Sequence, residues 1–166
     1  MSKVFIGVDL SITSPGVSCL NPDGTIRWMK FFASKPKWEG WIDSKIMGIP
    51  YPIYGSDQER FHKIGSSIIS LIEEEISNGN SAEVALEGYS YGSTASRLFQ
   101  IAENGGHFKY LMWSKNIPFE IVAPTTVKKL ATGKGNSQKQ LVYDAFVEKY
   151  QINLHDIFDI SQLKVS

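Results

Sequence analysis

Cysteine is nearly missing from this chain. The single thiol in 166 residues, Cys19, excludes an internal disulfide and fits a reducing compartment. Missing too is any apolar run of about 18 residues that would cross a membrane. The N-terminus MSKVF enters an apolar stretch directly, without the basic, apolar and small-residue succession of a secretory leader, so no membrane association and a cytoplasmic setting are expected. Net charge is absent: seventeen basic residues balance seventeen acidic ones, and only a local excess of one sign can speak for a charged partner. No spaced Cys/His set offers a zinc site, and His62, His107 and His155 read as surface side chains. Neither GxGxxG nor a Walker element points to a nucleotide, and repeats and low-complexity tracts are lacking. What remains is 42% hydrophobic and 12% aromatic, the composition of a globular chain of one domain, residues 1–166.

Apolar alternation and turn residues place strands at 3–9, 16–20 and 25–33, with NPDG at 21–24 as a turn between the last two. Residues 34–55 mix Pro, Gly and aromatics without a period, which predicts a surface excursion: a hairpin or a partner-binding loop. Phe61, Ile64, Ile68, Ile69 and Ile72 fall at helical spacing behind Ser56, a good N-cap, so a helix is expected over 57–76. EVALE at 83–87 is a strand, and its link through a helix predicts parallel pairing with the first strand. A second helix is expected over 94–115, where Gly105 and Gly106 imply close approach to the sheet. A strand at 118–122 and a helix at 138–150 follow. The order β-β-β-α-β-α-β-α is that of an α/β chain with a mixed five-stranded sheet flanked by helices, the plan of the ribonuclease H-like fold.

Asp9 and Glu87 then both stand at C-terminal strand ends. Two carboxylates converging at one sheet edge repel each other unless a divalent cation neutralises them, and Mg²⁺ needs only two or three Asp/Glu side chains. The chemistry implied is metal-assisted phosphodiester hydrolysis. The plainer reading of Asp9 is a turn cap in DLSITSPG. Lys128, Lys129, Lys134 and Lys139 form a cationic run without an acid, KKLATGKGNSQK, which is either a solvated helix end and loop or a phosphate-binding patch. Gly133 and Gly135 within it permit close approach to a phosphate or simply make a turn. Tyr89 and Tyr91 can stack on unpaired bases or pack in the ordinary way.

IGVDLSITSPGVS, VALEGYSYGSTASRLFQIAENGG and VAPTTVKKLATGKGNSQKQLV, in that order, resemble the RuvC-like Holliday-junction resolvases, particularly the bacteriophage form. The match spans roughly residues 4–143 apart from the 34–55 excursion, and its most specific part is the APxxVKKxxxGKG element. The resemblance implies an Mg²⁺-dependent endonuclease, with Mn²⁺ as a substitute, cutting four-way and other branched DNA as a homodimer. Asp9 matches the first metal-binding acid and Glu87 the second. Lys139 matches the lysine near the scissile phosphate, and Lys128, Lys129 and Lys134 lie along the DNA path.

The family pattern closes with an Asp-x-x-Asp pair. Asp156 and Asp159 have that spacing and would complete the catalytic set, with Asp159 as the further metal ligand. Three readings stay open: this pair serves; it is the wet side of an amphipathic helix whose inner face is Leu154, Ile157 and Phe158; or the acids lie beyond Ser166. The competing function is a junction-binding module of the same fold without catalysis. An actin-like phosphotransferase, suggested by GVDLSITSPGVS, needs two domains that 166 residues do not supply.

Overall fold

Alternate residues of the first strand, Val4, Ile6 and Val8, are buried, and the same two-residue rhythm places Val17, Cys19, Trp28, Phe32, Val84 and Leu86 in one layer. In a computed structural model, which describes residues 2–89 and 95–158, these positions form one face of a seven-stranded sheet. Its strands are β1 (Lys3–Asp9), β2 (Gly16–Leu20), β3 (Ile26–Ala33), β4 (Gly40–Trp41), β5 (Ile46–Pro50), β6 (Ser81–Glu87) and β7 (Phe119–Val122), in the order β4-β5-β3-β2-β1-β6-β7. β1 pairs antiparallel with β2 and parallel with β6, as the helical crossover predicts.

The helices are α1 (Asp57–Ser77), α2 (Ala95–Ser114), α3 (Pro124–Thr132), α4 (Lys139–Tyr150) and α5 (Leu154–Phe158). The Ser56 side chain accepts the Glu59 amide and so caps α1, and Ile64, Ile68, Ile69 and Ile72 lay that helix on the sheet. From α2, Phe108 and Met112 complete the core. A buried carboxylate fastens α1 to β3: Glu75 accepts from Trp28 Nε1 at 2.7 Å, Arg27 Nε at 3.0 Å and Asn80 Nδ2 at 2.8 Å. Burial pushes the Glu75 carboxyl up, but the hydrogen bonds from Trp28 and Arg27 outweigh it and hold the group below its ordinary value.

The five-stranded expectation is short by two strands, both from the 34–55 segment, which is a hairpin and extends the sheet beyond β3. β5 pairs parallel with β3 and antiparallel with β4. Its sequence, IMGIP, reads as a turn because glycine and proline weaken a strand, yet Pro50 lies past the two-residue ladder with β4, where no amide is needed on that side. A further helix, α3, which the sequence reading did not place, has Pro124 at its first turn and Gly133 closing it in the left-handed conformation (φ 79°); it buries no residue. Gly105 serves a different purpose from the one expected. A Cβ there would meet the Tyr89 ring at 2.7–2.8 Å, so the glycine admits a tyrosine and not the sheet, while beside Gly106 there is only open space. Of the three histidines, His62 is exposed; His107 is half-buried against it, and His155 is half-buried and stacked on Tyr143 at 4.9 Å.

Candidate metal centre

Strand alternation that sends Val8 and Leu86 into the core sends Asp9 and Glu87 to the other face. β1 and β6 run parallel with Val8 opposite Leu86, so the two acids follow at neighbouring strand ends, on strands about 4.8 Å apart. Asp9 keeps an open surface and Glu87 is half-buried. Crowding by protein atoms pushes the Asp9 carboxyl above the usual range, opposed by the Ser11 amide and by the positive charge of Lys139. Glu87 is raised as well, first by burial and then by the negative charge of Asp9, with Lys128 opposing. The two carboxyls interact, so their protons come off as those of a coupled pair and not of two independent groups.

Asp9 also carries the turn-capping role. Ser11 N donates to its Oδ1 at 2.9 Å. One carboxylate oxygen is thereby oriented by the backbone, and capping and a second function coexist on one side chain. Such a donor set, two oxygens of raised proton affinity on adjacent strands, suits a hard divalent cation. Among the described residues no three Asp, Glu, His or Cys side chains gather into a cluster that could hold a metal. Asp156 therefore does not join the pair; it lies exposed on α5, while Leu154, Ile157 and Phe158 are half-buried, the amphipathic arrangement. Asp159 and Tyr91 lie outside the described residues.

The loop that follows Asp9 is held from α1, from α2 and from Tyr51 just after β5, and these supports escaped the sequence reading. The Ile12 carbonyl accepts from Tyr51 Oη at 3.0 Å and Arg60 Nη1 at 3.1 Å, and the Leu10 carbonyl accepts from Asn104 Nδ2 at 3.2 Å. Arg60 is only 6% exposed; its Nη2 stands 3.2 Å from Asp57 Oδ1, whose other oxygen accepts from Gln100 Nε2 of α2. The signal lay in polar residues placed on the buried faces of α1 and α2, where a backbone carbonyl must be waiting.

The lysines separate into two groups. Lys139 is the first residue of α4 and acts on Asp9; Lys128, half-buried on α3, acts on Glu87. Lys129 and Lys134 are exposed farther along, on α3 and in the turn after it. That turn is self-contained: Ser137 Oγ donates to the Lys134 carbonyl at 2.8 Å, and a Cβ on Gly135 would stand 3.0 Å from the Thr125 carbonyl. The glycines thus serve the turn. Tyr89 rests one edge on α2, its Oη 3.4 Å from the Ala102 carbonyl and Lys109 Nζ 5.0 Å from its ring centre, and stays 37% exposed.

No protein-family model matches the chain, and no curated protein matches it in sequence. Solved structures do. The Thermus thermophilus RuvC bound to a Holliday junction substrate superposes with a TM-score of 0.66 at 15% identity, over 91% of this chain and 81% of that one. A second Thermus thermophilus RuvC structure gives 0.60 at 14% identity, over 96% and 82%. The chain is RuvC-like in architecture, a ribonuclease H-like fold carried to seven strands by its own hairpin.

Proposed function

We propose that this chain is a single-domain, divalent-metal-dependent endonuclease acting on Holliday junctions and other branched DNA. The observation that carries the reading is the pairing of Asp9 with Glu87 at adjacent strand ends, where each carboxyl is raised and Glu87 feels the charge of Asp9. The likeness to a RuvC structure that holds a junction substrate supports the choice of DNA. Asp9 and Glu87 would hold Mg²⁺, or Mn²⁺ in its place, and when bound the cation neutralises the pair and supplies Lewis-acid chemistry at phosphorus. Lys139, beside Asp9, would stabilise charge developing on the phosphate; Lys128, Lys129 and Lys134 would follow the backbone of an arm without reading sequence. Tyr89, backed by α2, would offer its exposed ring to an unpaired base.

The resolvase reading includes a homodimer and a cytoplasmic setting. The sequence offers two surfaces for the dimer, an apolar face on α1 and the aromatics Trp38, Trp41 and Tyr51 of the 34–55 segment; the apolar face of α1 is in the core, Trp38 is half-buried and Tyr51 is engaged with Ile12, while Trp41 stays exposed. The outer face of α2 suits it better. Phe99, Tyr110 and Trp113 are 71%, 60% and 71% exposed there, and they are arranged about Gly106 so that an antiparallel copy would set Phe99 against Trp113, Ala102 against Tyr110 and Glu103 against Lys109.

Nicking of a labelled four-way junction tests the activity. Asp9→Asn and Glu87→Gln should each lower the Mg²⁺-dependent rate about a hundredfold or more while junction binding persists. Undiminished nicking by either variant would overturn the assignment. A second reading, a junction-binding module without catalysis, is favoured by the lack of a third ligand among the described residues. Wild-type protein that binds junctions but nicks them with neither Mg²⁺ nor Mn²⁺ would establish it.

A further inference from the structure

The hairpin that extends the sheet presents a second cationic surface, away from the lysines of α3 and α4. Pro36–Trp38 form one 3-10 turn, and Lys35 and Lys37 converge on its indole, their Nζ atoms 4.9 and 5.3 Å from the Trp38 ring centre. The turn is built in firmly. A Cβ on Gly48 of β5 would overlap the Trp38 carbonyl, and Phe158 of α5 sets its ring edgewise to both Trp38 at 5.8 Å and Phe31 at 5.4 Å. Both lysines are exposed, and neither makes an ion pair among the described residues, not even with neighbouring Glu39. Cations held at an indole face with no carboxylate to neutralise them are left to an outside anion.

Sheet register fixes where that anion would run. Asp9 pairs with Gly16, Gly16 with Phe31 and Phe31 with Gly48, one row across β1, β2, β3 and β5. Three strand spacings separate Asp9 from Gly48, roughly 14 Å, and Trp38 stands over that end of the row. Lys128 and Lys139 flank the carboxylates on the opposite side, where β7 pairs with β6 and leads into α3. Two cationic flanks thus bracket the acids along one line. At about 3.4 Å of helix axis per nucleotide of one strand, the distance corresponds to about four nucleotides.

We propose that Lys35 and Lys37 are a second DNA-contact site, binding backbone phosphates of the arm about four nucleotides from the carboxylate pair, with Trp38 as the platform that positions them. The proposal rests on the nuclease reading and adds to it a contact carried by this chain's hairpin. Salt dependence of junction affinity is the test, measured for the wild type, for Lys35→Ala/Lys37→Ala and for Lys35→Arg/Lys37→Arg. Removing two phosphate contacts should lower the slope of log affinity against log salt by about two, and the arginine pair should keep it. Wild-type binding with an unchanged slope in the alanine pair would overturn the second contact and leave the nuclease reading standing. Wild-type protein with no salt-dependent junction affinity would overturn both. Circular dichroism of the exposed-lysine variants, expected to match the wild type, keeps loss of fold out of the comparison.

Discussion

At Asp9 one carboxylate answers to two neighbours. The Ser11 amide orients it and favours its charge, while crowding and the approach of Glu87 make two charges at this spot unfavourable. The consequence for stability has a definite sign. Both groups hold their protons to higher pH in the native state than when unfolded, so the metal-free protein binds more protons than the unfolded chain between the ordinary carboxylate range and the raised values. Stability therefore falls as pH climbs through that window. Asp9→Asn or Glu87→Gln should stabilise the metal-free protein at neutral pH, and the gain should vanish toward about pH 4, where the carboxylates are protonated. Solvent at the open side of Asp9 screens the effect, so on the order of 1 kcal/mol, or about 2–4 °C in melting temperature, is expected. Thermal melts in chelator across pH measure it; destabilisation at neutral pH would mean the two charges are already satisfied by protein groups.

The elements differ in how openly the sequence announced them. β1, β2, β3, β6 and α1 were legible because each pairs a strict apolar rhythm with a turn or cap: NPDG before β3, Ser56 before α1. The carboxylates were legible for the same reason, since a buried strand that stops on an acid marks its own end. The hairpin was legible only as one of two options and its strands were not placed, because β4 has two residues and β5 carries Gly48 and Pro50, and its strand character comes from pairing with β3 and not from local propensity. Arg60 and Asn104 were hidden as well, because what they satisfy are the carbonyls of Ile12 and Leu10, distant in sequence. On α2 the apolar pattern mixes two faces: Phe108 and Met112 turn to the core, while Phe99, Tyr110 and Trp113 stay in water. If the outer set joins two copies, Tyr110→Glu/Trp113→Glu should convert a dimer into a monomer in sedimentation experiments without loss of helicity. An unaltered dimer would place the interface elsewhere.

Across the whole molecule charges cancel, and function must come from their placement. α1 and α2 cover one face of the sheet; the acids sit at the strand ends of the other, which carries an open groove lined by Phe5, Gly7, Ser18 and Ala85. Lysines stand on either side of the acids, at α3 and α4 and at the hairpin. In the proposed reading such an arrangement would attract a polyanion to both flanks and leave the centre to a cation, a division that neutral totals conceal. Among the described residues no helix is long and apolar enough to cross a membrane. The central claim is that Asp9 and Glu87 share one divalent ion, and calorimetric titration of Mn²⁺ into the wild type, Asp9→Asn and Glu87→Gln tests it most directly. The account predicts binding by the wild type that weakens about tenfold or more in each variant; equal affinity in all three proteins would contradict it.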